Sequence, residues 1–305
     1  MMQSIEHQMI EIYCFIDDYL KVHPRCAQWR RSPHCVPRFS DAEVLTIALL
    51  QGSFQVASLK QTYRLIQANF KRAFPHLPSY AEWLRRLHQL TIHVGLLLEA
   101  TCASEQSTAF YLVDSLPVPL CHQLRHGRVR LMREDGARFG KTSKGWFFGF
   151  KLHCLRHISG RFLNIVLTPG SVDDRDPLLA LCEHSDGGVT LGDLGYRGEP
   201  AADLLEQEAE VLLITRADAP ARKLLLSQVR QAIETSFSQL WHQFIDRVFS
   251  RSWNGLWNTI KLKVLFYNIR HAGVVRWSSF GFIRTFGATR RFIRTVPYDD
   301  ASLNF

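Results

Sequence analysis

Residues 109–114 read AFYLVD, and with them the chain changes from helical to strand-like patterning. The apolar run Ala109–Val113 spells a short strand that ends at Asp114. Downstream, Trp146–Leu155 (WFFGFKLHCL) is a long β candidate and Arg161–Thr168 another, separated by the turn-like Ser159-Gly160. Pro177–Cys182 reads as helix, and Gly188–Leu191 as a strand running into Asp193. Pro200–Gln207 is helical and Glu210–Thr215 strand-like. Leu224–Phe249 then reads as one long helix with an apolar stripe at Ile233, Phe237, Leu240, Phe244 and Val248. This order predicts a mixed α/β sheet with helices on its faces.

Upstream, residues 1 to about 104 read as an all-helical region. Ser40-Asp41-Ala42-Glu43 has the form of a capping box, in which the serine and glutamate side chains satisfy each other's backbone amides. A second helix is expected over Ser58–Phe70, and a third after Pro78-Ser79 with Trp83, Leu84, Leu87 and Leu90 inside. Their basic faces (Lys60, Arg64, Lys71, Arg72, Arg85, Arg86) suit a helix-turn-helix-like DNA-binding module. An all-helical packing or dimerisation domain is the competing reading. The expected division is 1–104 helical, 105–269 catalytic, and 270–305 a basic tail, either disordered or in contact with DNA.

The chain has 305 residues, 46% hydrophobic and 21% charged, a composition that folds and is long enough for two domains. No apolar run reaches the ~18 residues of a membrane span, and no export signal opens the sequence. A cytoplasmic protein is expected. Seven scattered cysteines without a CxxC pair argue against a disulfide framework. His23, Cys26, His34 and Cys35 cluster, but their separations match no common zinc finger.

The net charge of +9 favours a polyanionic partner. Ten Lys/Arg lie between His122 and Arg161 against only Glu134 and Asp135, inside the region of the strands. Six arginines and no acid lie between Arg270 and Arg294. Either run can be a solvated surface; the first is better placed to meet phosphate. No Walker-type glycine loop is present, so ATP is not implied.

Three acids fall where this fold gathers ligands. Asp114 follows the first strand, Asp193 the fourth, and Glu234 lies on the long helix beside its apolar stripe. Converging carboxylates repel unless divalent cations neutralise them. Oxygen-rich sites suit Mg²⁺ or Mn²⁺. Two such ions about 4 Å apart can activate a water or a 3′-hydroxyl and stabilise the leaving oxygen of a phosphodiester.

The segments YLVDSLPVPLC, GWFFGFKLH, LTPGSVDDRDPL, LGDLGYRG and RQAIETSFSQL, in that order, resemble DDE transposases of bacterial insertion sequences, most closely the insertion sequence 982 family. The resemblance spans about residues 38–250 and includes PSYAEWLRRL. It implies an RNase H-like catalytic fold, with Asp114, Asp193 and Glu234 as catalytic metal ligands. It also implies cutting at transposon ends and joining of the freed 3′-hydroxyl to target DNA. An oligomer is expected, because two element ends must be handled together.

Around Glu234 the resemblance is uneven. Transposases of this group often carry Tyr-x2-Arg-x3-Glu-x6-Lys, which Arg230 and Glu234 match. Ser227 stands at the tyrosine position and Trp241 at the lysine position. Arg230, one turn before Glu234, can hold that carboxylate or a DNA phosphate. Trp241 can stack on an unpaired base or extend the packed face of the helix. Tyr196 and Arg197, on the loop beyond Asp193, and Lys141, Lys144 and Trp146, beside the long strand, are further candidates for DNA contact. Asp173-Asp174 reads either as helix capping or as a metal ligand. A nuclease of the same fold and a DNA-binding remnant without catalysis are the alternative functions.

Overall fold

A computed structural model describes residues 4–23, 37–102, 109–143, 145–183, 185, 187–215, 223–243, 245 and 249–271. The cysteine and histidine positions 26, 34 and 35, Lys144, and the expected tail beyond 271 lie outside these residues.

The helical region comprises α1 (Ile5–Val22), α2 (Asp41–Phe54), α3 (Leu59–Asn69), α4 (Tyr80–Gln89) and α5 (Thr91–Cys102). The capping box at Ser40 is formed: Ser40 Oγ accepts from Glu43 N at 3.1 Å, and Ser40 N donates to Glu43 Oε2 at 2.5 Å. α2 is buried on nearly every side, from Ala42 to Gln51, which explains its apolar character without a clean stripe. Trp83 of α4 is wholly buried, and its Nε1 donates to Val44 O at 3.2 Å, tying α4 to α2.

The sheet contains β1 (Phe110–Pro119), β2 (Arg138–Thr142), β3 (Gly145–His157), β4 (Phe162–Pro169), β5 (Gly188–Leu191) and β6 (Val211–Ile214). β1 pairs antiparallel with β3 and parallel with β5, and β5 pairs parallel with β6. β2 and β4 pair antiparallel with successive stretches of β3. The helices α6 (Leu178–Cys182), α7 (Glu199–Ala209) and α8 (Lys223–His242) flank this curled sheet. The β4-β3-β1-β5-β6 path, antiparallel and then parallel, is that of an RNase H-like fold.

Three features depart from the expectation. β1 does not stop at Asp114 but runs on through Pro117 and Pro119. Leu120 N donates to Phe148 O, so alternate residues direct their N–H groups to β3, and the two prolines fall on the other side. β5 covers only Phe110–Leu112 of that side, so the missing N–H groups leave no ladder bond broken. β2, unforeseen as a strand, is the first strand of a hairpin with β3. The long helix ends at His242, and a further helix, α9 (Trp253–His271), follows it.

α9 binds the two regions together. Asn268 Nδ2 donates to Phe162 O at 2.9 Å and to Thr101 Oγ1 at 3.2 Å, while its Oδ1 accepts from Phe162 N at 3.0 Å. At its end Arg270 Nη1 lies 2.5 Å from Glu11 Oε2 of α1. A single buried cluster therefore runs from Met9 through Leu116 and Phe237 to Ile269. Among the described residues no single helix is long and apolar enough to cross a membrane.

Candidate active site

The parallel ladder of β1 and β5 ends by pairing Leu112 with Leu191. Asp114 lies two residues further along β1, within that strand, and Asp193 lies two residues past Leu191, where β5 has ended. Both acids thus stand beyond the last β1–β5 pair, and both charges act on the Tyr196 hydroxyl. Asp114 Oδ1 accepts from Ser115 N at 2.8 Å, and Asp193 Oδ1 accepts from Gly195 N at 2.8 Å, capping the turn Leu194–Tyr196. Both residues are partly exposed.

Strand alternation fixes which face each residue serves. Leu112, Leu116 and Val118 pack into the cluster that holds Ile233, Phe237 and Leu240 of α8, and Asp114 shares their parity. Tyr111 and Val113 pack on the opposite face with Leu178, Leu205 and Tyr196. Asp114 thus belongs to the face that α8 covers.

On the other face Ser115 opens a second polar group. Its hydroxyl donates to Asp174 Oδ1 at 3.1 Å, and Lys151 Nζ donates to the same oxygen at 3.0 Å and to Val172 O at 2.5 Å. His153 Nε2 lies 2.8 Å from Thr168 Oγ1, and its Nδ1 lies 3.8 Å from Asp174. Burial lowers the His153 pKa from 6.5 to about 4, outweighing the pull of Asp174, so the ring is neutral at neutral pH. Asp173 is held by Arg175, 2.8 Å away, whose hydrogen bonds lower its pKa to about 2.

The field at the strand ends is negative. Burial raises the Tyr196 hydroxyl well above its ordinary value of 10, and the charges of Asp114, Asp174 and Asp193 act in the same direction. Cys154, opposite Asp114 on β3, is raised by complete burial and then by Asp114. A cation is the natural occupant of such a place.

Glu234 is carried by a well-fixed helix. Ser236 Oγ accepts from Arg156 Nε of β3 at 2.8 Å and from Tyr267 Oη of α9 at 2.8 Å, and donates to Ala232 O at 3.1 Å. Ile233, Ser236, Phe237 and Leu240 form the buried face, and Glu234 beside them is exposed. Among the described residues, no three His, Cys, Asp or Glu side chains stand together as a ready metal centre. Asp114 and Asp193 offer the hard oxygen donors that Mg²⁺ or Mn²⁺ takes. Glu234 does not complete a three-acid cluster with them in this arrangement.

Of the residues expected at DNA, Lys141 is exposed on β2 with its Nζ 5.9 Å from the ring centroid of Trp146, itself 57% exposed. Arg197 is exposed and Trp241 half-buried. The side chains of Arg230 and Lys144 lie outside the described residues. Tyr196 is corrected: it is 1% exposed, because the turn capped by Asp193 folds its ring into the core beneath the loop. Sequence reasoning missed Lys151 and His153. Their spacing of two within GWFFGFKLH was the available signal, since it puts both on one face of a strand.

Residues 104–245 match a family model described as transposase DDE domain. No curated protein and no solved structure matches. The matched segment contains Asp114, Asp193 and Glu234, and it supports a DDE transposase.

Proposed function

We propose that the chain is a metal-dependent DNA transposase that cuts at element ends and joins the freed 3′-hydroxyl to target DNA. The observation that supports this reading is the placement of Asp114 and Asp193 just beyond the last β1–β5 pair, within the matched segment. In this reading Asp114 and Asp193 are metal ligands, and Glu234 is the third, brought to them when α8 and the DNA settle together. Divalent Mg²⁺ or Mn²⁺, two ions in the fullest form, would lower the pKa of the attacking hydroxyl and neutralise the leaving oxygen.

The chain's own residues do the positioning. The Ser115 and Gly195 amides orient the two aspartates, so the carboxylates need little reorganisation. Lys141 and Arg197, with Arg230 and Lys144, supply cations along the DNA path, and Trp241 or Trp146 can stack on an unpaired base. Element ends and target DNA are the partners, and the working form is a homo-oligomer in the bacterial cytoplasm.

Labelled element-end DNA incubated with the protein and Mg²⁺ or Mn²⁺ tests the reading beside Asp193→Ala. Joined products are expected from the parent alone. Nicks without joining would point to a nuclease, and binding without metal-dependent products to a remnant. Cleavage by Asp193→Ala at the parental rate would sink the site assignment. Trp241→Lys is expected to raise activity if the missing charge limits the chain, and to leave it unchanged if the ring only packs.

A further inference from the structure

Tyr196 stands beside the two aspartates, yet the proposed chemistry gives it no part. Its side chain is buried and packs with Tyr111, Val113 and Leu205 beneath the turn that Asp193 caps. The turn is shaped to hold it there. A Cβ at Gly192 would stand 3.0 Å from the Tyr196 Cβ and 3.1 Å from its Cγ and Cδ2, so the ring lies this close to the backbone only because that residue is glycine. Asp193 Oδ1 fixes the same turn through Gly195 N.

The hydroxyl on this fixed ring is buried and finds no hydrogen-bond partner among the described residues. A buried phenol ordinarily has one, because burial removes the water that would otherwise serve. After burial itself, the charges that bear on this hydroxyl are Asp114 first, then Asp174 and Asp193. Ionised carboxylates only accept hydrogen bonds, and a phenol that keeps its proton can donate one. Asp174 is already met by Ser115 Oγ and Lys151 Nζ. Asp114 and Asp193 are the acids that the proposed reaction assigns to metal.

We infer that Tyr196 is a positioning residue of the carboxylate site, whose hydroxyl donates to Asp114 when that acid serves as a metal ligand. A ligating carboxylate is itself oriented by hydrogen bonds, and the partners that supply them set metal affinity. Without a cation the two aspartates repel each other, and both are partly exposed. With that repulsion neutralised, Asp114 can close on the phenol, and the ring need not move. The inference rests on the proposed role of Asp114 and Asp193 as metal ligands.

The test titrates the full chain with Mn²⁺ alone, followed by loss of the free-ion electron paramagnetic resonance signal, beside thermal unfolding without metal. Tyr196→Phe keeps the ring and its packing and removes only the oxygen. It is expected to unfold at the parental temperature or slightly above it, since no hydrogen bond is lost. Its Mn²⁺ binding is expected to weaken roughly tenfold or more. In cleavage of labelled element-end DNA, the half-saturating metal concentration should rise by a similar factor, while the rate at saturating metal stays near the parent's. A packing defect would not be corrected by added metal. Tyr111→Phe, which takes another phenol from the same core, is expected to bind Mn²⁺ as the parent does. Parental Mn²⁺ binding by Tyr196→Phe would overturn the inference, as would an equal loss from Tyr111→Phe or a lowered melting temperature in metal-free Tyr196→Phe. Asp193→Ala is expected to lose Mn²⁺ binding. If it bound as the parent does, the metal-ligand reading would fall and the inference with it. Loss in Asp193→Ala beside parental binding in Tyr196→Phe would remove the inference alone.

Discussion

Two pairs of aspartates sit near one another in this molecule and are treated differently by the fold. Asp173 and Asp174 are matched with cations, Arg175 at 2.8 Å and Lys151 at 3.0 Å. Asp114, within β1, and Asp193, just past β5, accept from backbone amides. A lysine or arginine brings a formal charge that offsets the acid's own, whereas an amide orients a carboxylate without bringing one. The difference gives the proposed division between structural and catalytic acids a form that mutation can test.

The largest effect should come from exchanging the two roles. Asp193→Ala is expected to reduce metal-dependent cleavage to background while leaving the melting temperature close to the parent's. Asp174→Ala is expected to do the reverse, keeping cleavage and losing stability. Loss of cleavage in a folded Asp174→Ala protein would move Asp174 into the active site and dissolve the comparison.

Lys151→Met isolates the cation. The pair is partly buried, so breaking it should cost about 1–2 kcal/mol in urea unfolding, below the full penalty of a buried pair. No change in the unfolding midpoint would mean that Asp174 is held by Ser115 alone.

pH offers a third probe. The folded His153 titrates at about 4 and the unfolded one near 6.5, because burial resists the charged ring. Above 6.5 the ring is neutral in both states and contributes no pH dependence. As pH falls from about 6.5 to about 4, the unfolded chain takes up the proton first, so stability should decline across that window. His153→Asn should flatten the decline; an unchanged profile would assign it to other groups.

The smallest expected effect is at the surface. Arg175→Ala should return the Asp173 titration from about 2 toward its ordinary 3.8, read by NMR, with little change in stability because both side chains are largely solvated. A titration still near 2 would mean that other groups hold the carboxylate.

Much of this molecule was legible from local pattern. The strand of Gly188–Leu191, the capping box at Ser40 and the helices around Lys60 and Trp83 appear where side-chain period and caps placed them, because those signals are local. β2 was not legible, since RFGKT carries no apolar alternation and becomes a strand only by pairing with β3. α9 was missed for the opposite reason. It is buried on nearly all sides, so it shows no stripe, and its polar residues Asn268 and Lys263 bond inside the fold.

The sequence by itself determined most of the strands and helices and the basic runs, and it nominated the three acids, because composition and period are properties of neighbouring residues. Only the tertiary structure decided that β1 runs past Asp114, that Tyr196 turns inward, and that Asp114 and Asp193 both lie beyond the last β1–β5 pair while Glu234 stays exposed. These depend on which strand lies beside which. Pairing between residues far apart in the chain leaves no periodic trace in either segment alone.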